Sequence, residues 1–466
     1  MKEIKIANFR CFRERQTARL APLTLLVGEN STGKTSLLAL IRVLWDVGVL
    51  ERFPDFKEPP FDLGSFDEIA HHRGGRGGRA TEFEAGFSLE TARKTARRHT
   101  ARAEVSRFDV IFRQDGAAPF PSIRRIERER TGVWADVGIS ADGRDGGISI
   151  QFATRNGRWR IHGRGGVEWG LSPAAGDIRQ RRLPPVQYLI RRFLRESDEH
   201  LDRFQRLGAT SGPPTREDMM EVSQLGIPTT RRFSRPFAGA PMRSRPHRTY
   251  DPSHIIQDAE GDYIPMFLSS VARRNQKAWE SLKSSLERFG RAAGLFDEIG
   301  IRTLGKTGGP FRIQVRKFGK PAKGPNRNII DMGYGVSQVL PVVTELLRPR
   351  GHRMFLLQQP EVHLHPSAQA ALGNLFCERA AAGRQLIIET HSDHLIDRVR
   401  MDVRDRKSDL KPEDVSILYF ERRNLAVTIH SLGWDANGNL VGRRGRPVPD
   451  SYRQFFRTER RRSLGL

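Results

Sequence analysis

The chain has 466 residues, of which 37% are hydrophobic and 29% charged, and two cysteines, Cys11 and Cys377. That length fits two or three lobes, the composition excludes a disordered chain, and two thiols exclude a disulfide framework or a Cys-rich metal site. No apolar run is long enough to span a bilayer, and the formal net charge of +25 points to polyanions such as nucleic acid, to an acidic protein partner, or to a genomic composition bias behind the scattered arginines.

The start, MKEIKIANFRCFRERQ, alternates charged and apolar residues and is no secretory signal, so the expected compartment is the cytoplasm. Residues 2–7 and LTLLVG (23–28) are predicted strands. A Gly-rich turn follows, then a helix over KTSLLALIRVLWDVG. RGGRGGR (73–79) reads as a flexible basic loop. FEAGFSL, SRFDVIFR, GISIQFA and RWRIHG are strand-like runs between Gly and Asp turns, and they predict an antiparallel sheet. The character changes near residue 181: VQYLIRRFLRESDEHLDRFQRL (186–207) is helical in pattern. From about 208 to 250 a stretch rich in Pro, Ser, Thr and Arg predicts a loop or lid. AWESLKSSLERFGRAAGLF (278–296) predicts a helix, FRIQVRKFG a strand, and 325–430 returns to apolar strands alternating with helices.

The sharpest pattern is GENSTGKTS, residues 28–36, in which Gly28, Gly33, Lys34 and Thr35 satisfy G-x-x-x-x-G-K-[ST]. Glycines let the turn curl so that backbone N–H groups meet phosphate oxygens, and the helix N-terminus adds its positive end. Asn30, Ser31, Gly33, Lys34, Thr35 and Ser36 are the candidate nucleotide contacts, with Lys34 at the β/γ-phosphates and Thr35 as a magnesium ligand. A chance Gly-rich turn is the alternative, and the strand before and helix after it argue against that. Two further apolar runs, Met354–Leu357 and Leu386–Ile388, read as buried parallel strands, with His391 and Ser392 just past the second. A zinc site from His363, His365 and His394 is conceivable, but their spacing spans two elements without a thiolate. Packing of the loop on the next helix is the plainer reading of His363 and His365.

Taken in order, these motifs resemble the ABC-type AAA ATPases of the RecF/SMC/OLD group, nearest to small stand-alone ATPases of bacterial defence loci. IKIANFRCF resembles the group's opening strand, GENSTGKTS its Walker A, LGSFDEIAHH (63–72) its Q-loop region and LLQQPEVHLHP its Walker B. IIDMGYGVSQVLPVV (329–343) resembles the signature, carried by Gly333, Gly335, Ser337 and Gln338, and THSDHLI the H-loop, with His391 as switch histidine. The resemblance implies an α/β P-loop NTPase fold of ABC-ATPase type with an inserted, mostly helical subdomain. It implies an N-terminal lobe part over 1–180, a helical arm or lid over 181–310, a C-terminal lobe part over 311–430 and a basic tail over 431–466. It implies ATP and Mg2+ as cofactors. It also implies a head-to-tail dimer in which one protomer's Gly335, Ser337 and Gln338 meet the other's nucleotide.

The sequence departs from the group where the Walker B acid belongs. That position holds Gln358, the candidate metal-orienting residue, and the next holds Gln359. An amide carries no charge and cannot take a proton from water. Three readings stand: a substitution that traps ATP, a slow natural switch, or replacement by Glu361 in the loop after Pro360. Gln358, Gln359, Glu361 and His391 are therefore the candidate catalytic set. No acidic cluster of a Toprim nuclease follows, so a separate effector such as a nuclease is the expected partner. Arg453, Arg457 and Arg460 in the tail are available to an acidic partner or nucleic acid, or are simply solvated. The leading expectation is a defence-type ATP switch. A RecF-like DNA-binding repair ATPase and a scaffold that uses ATP only as structural glue are the alternatives.

Overall fold

The computed structural model describes residues 1–93, 102–114, 121–130, 133–139, 147–164, 205–206, 214–223, 225, 234–251, 257–305, 309–318, 324–349, 351–442, 447–452 and 454. Most of the helix expected over 186–207 lies outside these residues, as do Arg453, Arg457 and Arg460.

In chain order the first strands are β1 (Glu3–Ala7), β2 (Gln16–Arg19) and β3 (Leu23–Gly28), followed by α1 (Lys34–Gly48) and the short α2 (Phe66–Ile69). A run of strands follows: β4 (Glu82–Arg93), β5 (Arg102–Gln114), β6 (Pro121–Arg130), β7 (Val133–Ile139), β8 (Gly147–Ala153), β9 (Arg158–Arg164) and β10 (Gln205–Arg206). Then come α3 (Arg216–Ser223), β11 (Phe237–Gly239), α4 (Ile264–Arg274), α5 (Gln276–Ala292), β12 (Glu298–Thr303), β13 (Phe311–Arg316) and β14 (Arg327–Asn328). The last stretch holds α6 (Tyr334–Leu347), β15 (Met354–Gln358), α7 (Pro366–Ala381), β16 (Gln385–Glu389), α8 (Asp393–Asp405), β17 (Val415–Arg423), β18 (Ala426–Trp434) and β19 (Leu440–Gly442).

The chain divides into two compact units: Met1–Leu20 with Ser31–Arg235 and Arg422–Ile429, and Ala21–Asn30 with Pro236–Glu421 and His430–Leu466. The described part of 181–310 is therefore shared between them. It holds α3, α4 and α5, and also three strands: β10 at the end of the stretch that reads as helix, β11 in a stretch that reads as loop, and β12.

The first unit carries a nine-stranded antiparallel sheet in the order β10-β9-β8-β7-β6-β5-β4-β1-β2. Alternation explains it: Phe83, Ala85, Phe87 and Leu89 turn one face of β4 inward, while Glu82, Glu84, Ser88 and Glu90 alternate with them. Register then pairs aromatic with aromatic. Phe83 lies opposite Phe112 and Phe87 opposite Phe108, with ring centroids 4.9 and 5.2 Å apart. Helix α1 approaches this sheet at Gly48, where a Cβ would stand 2.6 Å from the Phe87 ring, so the absent side chain permits the contact.

The second unit is built on a seven-stranded sheet ordered β11-β15-β16-β3-β17-β18-β19. The five strands from β11 to β17 run parallel. Every residue of β3 and β15 is buried, which accounts for their nearly continuous apolar runs. Leu25, Leu357, Ile388 and Ile417 face one core cluster together with residues of α4 to α8. The row that alternates with them, Gln358, Glu389, Leu26 and Leu418, points to the opposite face. A three-stranded antiparallel sheet, β12-β13-β14, completes the unit.

Candidate nucleotide site

Residues 28–33 join β3 to α1, and their backbone makes the loop. Gly28, Ser31 and Gly33 all have positive φ, at 142°, 58° and 87°. Side chains are excluded at both glycines. A Cβ at Gly28 would lie 2.7 Å from the Phe420 carbonyl oxygen, and one at Gly33 2.5 Å from Cys11 Sγ. Gly33 precedes α1 without a capping side chain, and the first turn of α1 holds no acidic residue. Such a helix start favours an anion. Lys34, the first residue of α1, is buried, and Ser36 is held by Arg10, whose Nη1 donates to Ser36 Oγ at 3.0 Å.

Arg10 also donates from Nη2 to the Leu63 carbonyl at 2.9 Å, so it ties the helix start to the segment 63–72. There Glu68 accepts from the Ser65 N–H at 2.7 Å and starts α2 with a capping box. The thiol of Cys11 donates to the Thr32 carbonyl at 3.5 Å. The reduced, half-buried thiol thus braces the loop, and burial pushes its pKa up to about 11. Arg422 donates to the Ser31 carbonyl. Neither Arg10 nor Arg422 stands out in the sequence, because each acts on the loop through the fold.

At the carboxyl end of the parallel sheet, Gln358 closes β15 and is 5% exposed, and its Nε2 has no hydrogen-bond partner among the described residues. Its register partner on β16 is Glu389, also buried. Parallel partners share a face, so this carboxylate, which the sequence pattern does not flag, stands beside the amide. Gln359 turns the chain with φ 38° and donates its N–H to the Glu389 carbonyl at 2.8 Å.

Glu361, in the loop that follows, accepts from Thr390 Oγ1 at 2.7 Å and from the His391 N–H at 2.8 Å. Burial holds its carboxyl above the usual carboxylate range, opposed by these bonds and by the charge of Arg243. The loop carboxylate is thereby placed to orient the His391 backbone. Ser392 caps α8, its Oγ accepting from the Leu395 N–H at 3.0 Å.

The signature-like segment begins α6. Gly333 and Tyr334 are exposed, and Gly335 approaches the loop after β15 so closely that a Cβ would be 2.9 Å from the His363 carbonyl oxygen. Ser337 and Gln338 lie inside. Ser337 Oγ donates to the Tyr334 carbonyl at 2.8 Å, and Gln338 accepts from the Arg243 N–H at 3.1 Å and donates to its carbonyl at 3.2 Å. In this structure the exposed residues of the segment are Ile330, Asp331, Gly333 and Tyr334. The His363 ring packs edge-on against Tyr334 with centroids 5.0 Å apart, and His365 caps α7, accepting from the Ser367 N–H. Among the described residues no group of three or more His, Cys, Asp or Glu could hold a metal ion, and no helix is long and apolar enough to cross a membrane.

A family model described as "AAA domain, putative AbiEii toxin, Type IV TA system" matches residues 23–397, from β3 through the phosphate loop, the signature-like segment and the end of β15 into α8. The chain belongs to this AAA-domain family. No curated protein matches the chain. Solved structures similar to this AAA domain include an SMC head bound to the C-winged helix domain of ScpA, at 12% identity and TM-score 0.38, covering 93% of this chain and 97% of that one. The SMC head domain from Thermotoga maritima follows at 12% and TM-score 0.34, covering 92% and 98%. An Smc head with an extended coiled coil, bound to the C-terminal domain of ScpA derived from Pyrococcus furiosus, has 13% identity and TM-score 0.39, covering 93% and 96%. At these scores the likeness says nothing of partners or chemistry. The strand–loop–helix geometry and the family match make the AAA domain a mixed α/β nucleotide-binding scaffold.

Proposed function

We propose that this protein is an ATP-binding switch that assembles through composite nucleotide sites and controls a separate effector, with slow hydrolysis. The observation that carries the reading is a contrast: a phosphate loop whose glycines are sterically required, and a strand end that carries Gln358 and Gln359 in place of acids. The loop supplies ground-state contacts to the phosphates through its backbone and Lys34, while the amides supply neither charge nor base. Mg2+ prefers oxygen donors, and the Thr35 hydroxyl of the phosphate loop is one. At the strand end, Gln358 Nε2 has no hydrogen-bond partner among the described residues and the Glu389 carboxylate shares its face. The metal, when bound, would neutralise charge on the phosphates. Glu389 supplies the negative charge that Gln358 lacks, and His391 is oriented by Glu361.

The family's description names a toxin–antitoxin system, which supports a defence role. The net charge of +25 favours a second reading, a RecF-like ATPase that holds DNA on a basic surface. Sedimentation with and without ATP tests the switch. A Cβ added at Gly333 would meet nothing within 4 Å, so Gly333→Arg places a bulky charge on the exposed signature segment without a clash. ATP-stabilised oligomers are expected in the parent and lost in Gly333→Arg, with nucleotide binding kept. Oligomers indifferent to both ATP and this substitution would overturn the sandwich. Short duplex DNA, bound with an affinity that falls steeply with salt, is the outcome that favours the second reading.

A further inference from the structure

Between α2 and β4, residues 72–79 read HRGGRGGR and contain only histidine, arginine and glycine. The chain closes on itself there. His72 and Arg79 form an antiparallel bridge, and the Arg73 N–H donates to the Gly78 carbonyl at 2.8 Å. The base of this turn is fixed to the segment after β1. The His71 N–H donates to the Asn8 carbonyl at 2.9 Å, and the His71 ring donates from Nδ1 to the Arg10 carbonyl at 2.6 Å. The tip is bare: Gly74, Gly75 and Gly77 have φ of 91°, 73° and 72°, and a Cβ at any of them would meet nothing within 4 Å. His72 to Gly77 are exposed, and so is Arg79. The charges are poorly compensated. The guanidinium groups of Arg73 and Arg76 make no hydrogen bond or ion pair among the described residues. That of Arg79 is paired at 3.2 Å with Asp67, itself exposed. The sheet of the same unit differs, for Arg107 pairs with Glu129 at 2.8 Å and Arg125 with Asp136 at 2.6 Å.

Three arginines, three residues apart on a tip that no side chain shields, suit one class of partner. A protein interface needs an apolar or aromatic anchor at its centre, and residues 72–79 offer none. Single-stranded nucleic acid is gripped largely by bases stacked on aromatic rings, and the turn carries no Phe, Tyr or Trp. A duplex presents its phosphates outward, and arginine, with its fork of donors, is a preferred partner for them. We propose that the turn at 72–79 is a contact for the phosphate backbone of duplex DNA, held by Arg73, Arg76 and Arg79 without reading base sequence. The glycines let the tip come close to the phosphates. The proposal names a surface for the DNA-holding reading and rests on that reading. It does not depend on assembly of the nucleotide sites.

Titration of a short labelled DNA duplex over a series of salt concentrations tests the contact. The parent is compared with a variant carrying Arg73→Gln, Arg76→Gln and Arg79→Gln together. Each neutralised phosphate contributes about 0.9 to the fall of log K with log salt. The glutamine variant should therefore lose about 2 to 3 from that slope and bind at least about tenfold more weakly. Its Tm and ATP binding should stay those of the parent, because these side chains face solvent. A variant carrying Arg73→Lys, Arg76→Lys and Arg79→Lys keeps the charges and should keep the slope. If the glutamine variant does not fold, Arg76→Gln alone should lower the slope by about 1. A folded glutamine variant with the parent's affinity and slope would overturn the proposal and leave DNA to another surface. A parent that binds no duplex would remove both the proposal and the DNA-holding reading. Single-stranded RNA or polyglutamate held more tightly than the duplex by the same arginines would overturn the assignment to duplex DNA.

Discussion

The phosphate loop and the end of β15 depend on the sequence in different ways. In the loop the decisive property is backbone shape. Gly28 and Gly33 sit where a Cβ would strike Phe420 and Cys11, and Arg10, Cys11 and Arg422 brace the turn from other parts of the chain. At the strand end the backbone is ordinary parallel strand, and the chemistry depends on which side chain projects from it. There the chain carries two amides, with one carboxylate on the neighbouring strand and another drawn into the loop. In the proposed switch, phosphate binding rests on backbone geometry and turnover on a few exchangeable groups.

The comparison breaks most sharply at Gly33. Gly33→Val adds a branched side chain where a Cβ alone would stand 2.5 Å from Cys11 Sγ, at a φ of 87°. ATP binding by calorimetry should disappear, and Cys11→Ala should not restore it, because the backbone strain remains. Normal affinity in Gly33→Val would mean that the loop is not the phosphate cradle.

The strand end should respond in rate rather than binding. Gln358→Glu adds a carboxylate to the row that carries Glu389, and on the proposed reading steady-state phosphate release at saturating Mg·ATP should rise about 10- to 100-fold. ATP affinity should change much less. In that background Glu389→Gln should cancel a large part of the gain, since the two carboxylates share a face. Release that ignores both substitutions would remove this row from the site. Glu361→Gln should have the smallest effect on turnover, a few-fold at most, because its carboxyl is engaged by Thr390 and His391. A loss as large as that of a general base, on the order of 100-fold, would make Glu361 the replacement base instead.

Much of this is legible in the sequence, for physical reasons. LTLLVG, MFLLQ and QLIIE are apolar with little interruption because parallel strands are covered on both faces, and they read as strands. FEAGFSL and SRFDVIFR alternate because one face of the antiparallel sheet is inward. AWESLKSSLERFG repeats its apolar residues at helical spacing, and α5 covers Gln276–Ala292. Other elements carry weaker marks. PSIRRIERER forms β6 although it is mostly charged, because cross-strand pairs such as Arg125–Asp136 and Arg107–Glu129 take up the charges. Phe237–Gly239 is too short to signal a strand and is made one by pairing with β15. The same holds for the side chains. Lys34 and Thr35 announce themselves by local spacing. Arg10, Glu389 and Arg243 take their places through pairings between distant segments, which no local pattern records.

The central claim is that the phosphate loop binds ATP through Lys34 while the amide-bearing strand end leaves it largely uncleaved. Isothermal titration of ATP into the parent and into Lys34→Ala, with phosphate release followed on the same samples, tests it most directly. The account predicts stoichiometric binding by the parent, affinity at least about tenfold weaker in Lys34→Ala with the fold intact, and slow release in both. Equal affinity in the two proteins, or rapid release by the parent, would contradict it.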